Sequence, residues 1–203
     1  MDQLNALVLC CTLTRSPDPS SSSLLGQQVL DALKEHDVTG EIVRVVDHDV
    51  KPGVDFDMGN GDEWPALREK MLAADILVIA TPIWVGHPSS LTQRVIERLD
   101  AELSAKDSAG RLLTYGKVAA LAVVGNEDGA HHVTAEVFQA LDDVGFTIPA
   151  AAVTYWVGEA MQGTDYQDLD GTPETTASTT RTLATNVAHL ARVLKANPYP
   201  PTS

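Results

Sequence analysis

A stretch rich in hydroxyl side chains, CTLTRSPDPSSSSLL, occupies residues 11–25. The serines at 20–23 stand where the first turn of a helix is expected. One serine is enough to cap the free amides of that turn. The surplus hydroxyls, the amides of the helix N-terminus and Arg15 as a counter-charge are suited to a phosphate monoester. We therefore expect a phosphate site here, with helix capping combined with turn chemistry as the alternative interpretation.

The spacing of residues in this stretch argues against three common phosphate-binding motifs. No G-x-G-x-x-G follows the first apolar segment, so a Rossmann dinucleotide site is not indicated. The sequence also lacks G-x-x-x-x-G-K-[ST], the P-loop signature. A low-molecular-weight tyrosine phosphatase needs a longer spacing than the four residues between Cys10 and Arg15 or the three between Cys11 and Arg15.

A second loop, TPIWVGHPSS at residues 81–90, carries features suited to a flat ligand. Pro82 restricts the backbone, and Gly86 allows a flat molecule to approach it closely. Trp84 lies between them in sequence. Its indole is either a stacking surface or a lid over core residues, and the sequence leaves both interpretations open.

A third loop, GNEDGAHH at residues 125–132, concentrates polar side chains. Its amide, carboxylate and backbone groups are able to hydrogen-bond the polar edge of a heterocycle. The alternative is a simple turn followed by surface histidines at the start of a helix. His131 and His132 are adjacent, which is not the spacing of metal ligands on a helix, and no cysteine or third histidine is near them in sequence. We therefore predict no metal site.

Charge and composition limit the partners of this chain. The formal charge of −14 argues against nucleic acids and anionic membranes, which bind basic patches. No apolar run approaches the ~20 residues of a membrane-spanning helix. Residues 1–9 lack the basic region and cleavage site of a secretory signal. Cys10 and Cys11 are expected to be buried thiols, because adjacent residues are poorly placed for a disulfide. We predict a cytoplasmic protein.

Aliphatic runs and helical spacing alternate along the chain. Strands are predicted at 6–11, 41–46, 75–83, 117–125 and, from a weaker signal, 148–158. Apolar residues recur at helical intervals between and after the strands, at Leu25, Val29, Leu33; Trp64, Leu67, Met71, Leu72; Leu91, Val95, Leu99, Leu103; Val133, Val137, Leu141; and Leu183, Val187, Leu190, Leu194. Such alternation is typical of a parallel sheet with helices on both faces.

We predict a flavodoxin-like α/β fold, a doubly wound five-stranded parallel sheet in the order 2-1-3-4-5. Residues 1–203 are expected to form a single domain, with the proline-rich segment 196–203 as a flexible tail. Segments 47–62 and 159–173 do not fit the strand–helix repeat. Loops of this length in a compact domain are usually functional or mobile.

The three unusual loops all follow predicted strands. In a doubly wound sheet, ligands bind beyond the carboxyl ends of the strands, near the point where strand order reverses. A phosphate site, a flat apolar wall and a polar edge in that one place suggest flavin mononucleotide (FMN). The phosphate would lie at the first loop, and the isoalloxazine ring at the second and third.

The chain resembles the flavodoxin-like family of NAD(P)H-dependent FMN and quinone reductases. The matching segments are CTLTRSPDPSSSSLL, ATPIWVGHPSSLTQRVIERLD, VVGNEDGAHH and TYWVGEAMQGTDY, which together span the length of the chain. The resemblance implies phosphate contacts from Thr12, Arg15, Ser20, Ser21 and Ser22. It implies ring contacts from Pro82, Ile83, Trp84, Gly86, Asn126, Glu127, Asp128, Gly129 and His131.

The resemblance also implies an activity. Such an enzyme takes a hydride from NADPH or NADH and passes electrons through FMN to a flavin, a quinone or a similar small acceptor. We name no catalytic acid or base, and a homodimer is expected because members of the family are commonly dimers. One alternative is a flavodoxin-type electron carrier without its own substrate, which net acidity would suit. Another is a scaffold protein that keeps the fold without the cofactor.

Overall fold

A computed structural model describes residues 3–159 and 161–201. Its parallel strands are β1 (Leu4–Cys10), β2 (Val38–Arg44), β3 (Ile76–Trp84), β5 (Val118–Gly125) and β6 (Val153–Val157). A two-residue strand, β4 (His87–Pro88), pairs antiparallel with the end of β3. The parallel strands lie in the order β2-β1-β3-β5-β6. Without β4 this is the predicted order 2-1-3-4-5, so the flavodoxin-like fold is confirmed.

Helices cover both faces of the sheet. The first layer contains α1 (Ser21–Lys34) and α5 (Glu174–Ala196), and the second contains α2 (Trp64–Ala73), α3 (Ser90–Leu99) and α4 (Ala130–Asp143). Side chains alternate between the layers because successive residues of a strand point to opposite faces, so Val8 packs in the first and Leu9 in the second. Within the described residues no helix is both long and apolar enough to cross a membrane.

Element boundaries differ from the predicted ones where tertiary contacts intervene. Leu103, predicted to extend α3, lies in a separate 3-10 turn and is exposed. In that turn Glu102 is buried and pairs with Arg68, with Arg68 Nη2 and Glu102 Oε2 3.0 Å apart. The turn therefore directs the carboxylate inward and the leucine outward, against the helical spacing.

The two cysteines follow the alternation of β1. Cys10 packs in the first layer and Cys11 in the second, and both are buried and unbonded to each other. Burial raises the pKa of the Cys10 thiol and raises that of Cys11 to about 12. The prediction of two separate buried thiols is confirmed.

The acidic segment 47–62 is fixed against α3 by Arg98. This side chain is fully buried, and its Nη1 donates to Asp62 Oδ2 at 2.6 Å and to the Lys51 carbonyl at 2.9 Å. Its Nε and Nη2 donate to the carbonyl of Asp55 at 3.1 and 2.7 Å. The segment is therefore bound to α3, in the second layer of helices.

Tyr199 attaches the chain after α5 to the body of the protein. Its hydroxyl lies 2.9 Å from Thr147 Oγ1, and its carbonyl accepts from Arg111 Nη1 at 3.0 Å. The flexibility expected of segment 196–203 stays a prediction, and residues 202 and 203 lie outside the described residues.

Candidate functional site

A cleft opens at the carboxyl ends of β1, β3 and β5. This is the place where doubly wound sheets bind ligands. Its wall consists of Thr12, Leu13, Thr14, Pro19, Ser20, Ser21, Ser22, Pro82, Ile83, Trp84, Val124, Gly125, Asn126, Trp156, Asp165, Tyr166 and Gln167.

The cleft brings together the predicted residues of all three loops. Those that line it are Thr12, Ser20, Ser21, Ser22, Pro82, Ile83, Trp84 and Asn126. The other predicted residues, which do not line it, are Arg15, Gly86, Glu127, Asp128, Gly129 and His131. Each of the three loops therefore contributes some of its predicted residues to the cleft wall, and its other predicted residues lie outside that wall.

The serine run forms the beginning of α1, as predicted. Ser20 is its N-cap, and Ser20 Oγ accepts from the amide of Ser23 at 3.4 Å. The amides of Ser21 and Ser22 lie in the first turn, where no intrahelical acceptor exists. They and the neighbouring hydroxyls form a set of neutral donors at the positive end of the helix dipole. No lysine or arginine is found among the described residues of the cleft wall.

Arg44, a residue that the sequence analysis missed, supports this first loop. Arg44 Nη1 donates to the carbonyls of Thr14 and Asp18 at 3.3 and 2.7 Å. The carboxylate of Asp47 accepts from the amide of Ser16 at 3.0 Å. An arginine at the end of β2 gave no local signal, because its partners are about thirty residues away in sequence.

Arg15 lies on the outer side of the loop rather than in the cleft wall. It is exposed, and its charge acts on Asp47. Hydrogen bonding from Ser16 lowers the pKa of Asp47, and the charges of Arg44 and Arg15 add to that shift. The counter-charge predicted for a phosphate therefore lies outside the cleft wall.

Buried hydroxyls tie the first loop to the second. Ser89 is the N-cap of α3, and its Oγ donates to the Cys11 carbonyl at 2.6 Å. Thr92 Oγ1 donates to Thr81 Oγ1 at 2.7 Å. The ends of β1 and β3 and the start of α3 are thereby held in one network, which sets the spacing between the serine run and Trp84.

Glu127 and Gly129 hold the second and third loops together. Glu127 Oε1 accepts from the amide of Val85 at 2.7 Å. Gly129 has φ +135°, and a Cβ at that position would lie 2.9 Å from the Cα of Gly86. Only glycine permits this backbone approach. These residues therefore shape the loops that carry Trp84.

His131 and Asp128 do not line the cleft and contact other groups. The His131 ring packs edge-on against Tyr155, with centroids 5.4 Å apart. Asp128 Oδ1 accepts from the neighbouring amide of Gly129 at 2.7 Å. The carboxylate thus stabilises the turn at the start of α4.

The segment 159–173 supplies a wall of the cleft that the sequence analysis left without a role. Asp165 Oδ1 accepts from Asn126 Nδ2 at 3.0 Å, and the amide of Gln167 donates to Ser21 Oγ at 3.3 Å. The segment therefore bridges the first and third loops. Ala160 lies outside the described residues.

The chemistry of the cleft fits FMN. The donors of the serine run suit a phosphate, while Ile83, Val124 and Trp84 offer apolar surface for a ring. Gln167 Oε1 is buried in the cleft wall without a hydrogen-bond partner. A buried acceptor without a donor is unfavourable, and the hydroxyls or ring N–H of a flavin would supply one.

Replacing Arg44 with methionine is expected to weaken FMN binding about tenfold, because hydrogen bonds from a charged donor contribute ~1.5–3 kcal/mol and two loop carbonyls would lose theirs. Arg44→Lys, which keeps the charge, is the matched control and should lose less. The measurement is a fluorescence titration of FMN into flavin-free protein. Equal affinity in the methionine variant and the wild type would show that Arg44 does not support the loop.

Comparison with known proteins gives one family model and two curated relatives. A family model described as NADPH-dependent FMN reductase matches residues 4–162. The chain is 37% identical over 206 residues to the 8-demethyl-8-aminoriboflavin-5'-phosphate synthase of Streptomyces davaonensis, covering 97% of this chain and 80% of that protein. It is 40% identical over 202 residues to a protein of Mycobacterium bovis named divalent metal cation transporter MntH. That match covers 96% of this chain and spans only 30% of the M. bovis protein's length.

A solved structure is also similar to this one. It is the crystal structure of RosB with bound 8-demethyl-8-formylriboflavin-5'-phosphate, an intermediate. The TM-score is 0.87 and the identity 37%, and the match covers 97% of this chain and 82% of that chain.

Proposed function

Because this chain belongs to the NADPH-dependent FMN reductase family, we propose that it moves electrons from NADPH or NADH through FMN to a flavin, a quinone or another small acceptor. Membership confirms the predicted family, an FMN-dependent oxidoreductase, and FMN as the cofactor of that family. The observation that carries the proposal is the cleft at the strand ends, where neutral phosphate donors, an apolar wall and an unpartnered buried acceptor meet.

The residues of the cleft have separate tasks in this proposal. The chemistry that FMN would supply when bound is hydride transfer from the nicotinamide and onward transfer of electrons. The hydroxyls of Ser20, Ser21 and Ser22 hold its phosphate together with the amides of the first turn, supported by Thr12. Pro82, Ile83 and Trp84 face the ring, and Asn126 binds its polar edge. The other predicted contacts do not line the cleft, and we assign them to the shape and the charge of the loops. They are Arg15, Gly86, Glu127, Asp128, Gly129 and His131.

Trp84 would decide access to the ring. Its side chain is 54% exposed although it lies in the cleft wall. An indole with one face towards the cleft and one towards solvent is suited to stacking on a planar ligand. Aromatic rings generally pack offset, with their centroids about 4.5–7 Å apart. A nicotinamide or an acceptor would therefore enter beside Trp84, so that no separate dinucleotide fold is needed.

Flavin retention and turnover test this function together. The protein is reconstituted with FMN, desalted, and examined by absorption spectroscopy, and NADPH or NADH oxidation is then followed with a quinone or free flavin as acceptor. Retained FMN with rapid turnover supports the reductase. Retained FMN with slow reduction would favour the flavodoxin-type electron carrier, and failure to retain FMN after reconstitution would contradict the proposal.

A second function, in which a flavin 5'-phosphate is the substrate, is favoured by one observation. The identity of 37% to the aminoriboflavin phosphate synthase extends over 97% of this chain. In that case the same cleft would hold the flavin while its ring is modified. Mass spectrometry of flavin recovered after prolonged incubation of FMN with the protein, an oxidant and an amine donor distinguishes the two, since the reductase returns FMN of unchanged mass.

We further propose a cytoplasmic homodimer in which residues 1–203 form a single domain. A single sheet with a core on each face supports the single domain. Two buried free thiols suit a reducing compartment. The apolar Trp84 and Val85 are exposed side by side at the rim of the cleft, as an interface would require. Sedimentation analysis tests the dimer.

A further inference from the structure

His87, His132 and Glu136 form a cluster beside the flavin cleft. His132 and Glu136 are four residues apart on α4 and share one face of that helix. His87 belongs to β4, which follows Trp84 along the chain. Nε2 of His132 and Nδ1 of His87 each lie 3.5 Å from the same oxygen, Glu136 Oε1. All three side chains are solvent-accessible.

We propose that this cluster binds a divalent metal ion of the Zn²⁺ class and thereby fastens the β3–β4 hairpin to α4. Two imidazole nitrogens and one carboxylate oxygen are a donor set used by zinc sites that keep a fourth position open. The site goes beyond the proposed reductase function and does not take part in electron transfer. It replaces the expectation of no metal site, because His87, which is distant from His132 in sequence, joins the cluster only in the fold.

The distances in the cluster are longer than those of hydrogen bonds and are compatible with a shared metal ion. At 3.5 Å, both nitrogen–oxygen distances exceed the ~2.7–3.2 Å of an N–H···O hydrogen bond. They are close to the separation of two ligands in a tetrahedral zinc site, which is about 3.4 Å for metal–ligand bonds of ~2.0–2.1 Å. The three ligand atoms all lie within 4.8 Å of one another, so small rotations of exposed side chains bring them to one ion.

A hydrogen bond on the far side of the His132 ring prepares it to bind a metal. His132 Nδ1 lies 3.0 Å from the carbonyl oxygen of Gly86. A carbonyl only accepts, so Nδ1 must carry the proton. In the neutral ring Nε2 is then an unprotonated ligand directed at the cluster. Metal-binding histidines commonly use such a carbonyl to fix ring orientation and tautomer.

The backbone that presents His87 is also fixed before any metal binds. Val85 has φ +52° and Gly86 φ +78°, which form the tight turn between β3 and β4. Glu127 Oε1 holds the amide of Val85 at 2.7 Å. The hairpin is thus positioned by α4 and by the loop before it, and a metal at the cluster would add a third attachment.

Zinc titration by calorimetry tests the proposal. The protein carries no affinity tag, is treated with chelator and is titrated with ZnCl₂ alone. We expect saturable binding near one equivalent. His87→Ala combined with His132→Ala should weaken it at least tenfold, because loss of even an outer-shell partner of a metal ligand costs about 10–100-fold in affinity. Glu136→Gln, which leaves the bond between His132 and Gly86 intact, should also weaken it at least tenfold.

His48→Ala is the matched control. His48 Nδ1 also lies 3.5 Å from a carboxylate oxygen, Glu63 Oε1, but that pair is not among the described three-residue clusters with metal-ligand spacing. The His48→Ala variant should bind zinc with the same affinity as the wild type. Zinc should raise the midpoint temperature of unfolding of both proteins. Absence of saturable binding to the wild type, or undiminished binding to the double variant, would overturn the proposal.

Discussion

Replacement of Ser20, Ser21 and Ser22 with alanine is expected to weaken FMN binding by about two orders of magnitude while changing riboflavin binding much less. Because the described cleft wall contains no lysine or arginine, the phosphate depends on neutral donors from this run. Hydrogen bonds to a charged group contribute about 1.5–3 kcal/mol each, and ~1.4 kcal/mol corresponds to a tenfold change in affinity.

The ratio of FMN to riboflavin affinity is the decisive measurement. Ser20 also caps α1, and loss of an N-cap costs about 1 kcal/mol of stability. That effect acts on both ligands, whereas loss of the phosphate site acts on FMN alone. Ser23→Ala is the matched control, since Ser23 belongs to the same run but does not line the cleft. Equal loss of the two ligands in the triple variant would mean that the run does not hold the phosphate.

Replacement of Arg98 with methionine is expected to lower the free energy of unfolding by about 3–5 kcal/mol, the range for breaking a buried ion pair by removing one partner. Methionine fills much of the same space but donates no hydrogen bond. The Asp62 carboxylate, itself fully buried, would remain charged without its cation. The carbonyls of Lys51 and Asp55 would lose their donors as well.

Urea unfolding followed by circular dichroism measures this loss. Arg181→Met is the matched control, because Arg181 pairs with Glu174 at 2.7 Å on the surface, where both side chains are largely exposed. Exposed ion pairs contribute ~0–1 kcal/mol. Adding Asp62→Asn to the Arg98 variant should restore part of the stability by removing the unpaired charge. If the Arg98 and Arg181 variants lose the same stability, the buried pair does not hold the acidic segment.

The pH dependence of stability gives an independent check on Asp62. Burial alone would raise the pKa of Asp62, but hydrogen bonds from the amides of Met58, Lys51 and Trp64 and from Arg98 outweigh it and bring the pKa to about 2. Since the unfolded-state pKa is ~3.9, the carboxylate stabilises the fold at higher pH. This contribution is lost as pH falls from about 4 towards 2. The loss should be smaller in the Arg98→Met variant.

Much of the fold followed from local sequence patterns. The aliphatic runs around Val8, Val78 and Leu121 became central strands, and leucine and valine at helical intervals became α1, α4 and α5. These patterns are local because burial of one face of a helix, or both faces of a strand, requires apolar residues at a fixed period. Strand order then placed the three unusual loops at one edge of the sheet.

Which residues of each loop line the cleft could not be predicted in this way. Glu127 and Asp128 stand beside Asn126 in sequence, yet only Asn126 lines the cleft. The carboxylate of Glu127 instead accepts a hydrogen bond from the amide of Val85, which is forty-two residues away in sequence. The direction of a loop side chain depends on such distant partners, and loops have no period from which it can be derived.

The sequence alone determined the order of strands and helices, the position of the binding edge and the chemical character of the three loops. The tertiary structure decided which residues meet: Gln167 with Ser21, Arg44 with Thr14, and His87 with His132. The periodic pattern of apolar residues that predicts burial is contained in short stretches of the chain. These pairs, in contrast, form only after the sheet has brought separate segments together. Their residues carry no local signal, because the free energy that favours each contact exists only in the folded arrangement.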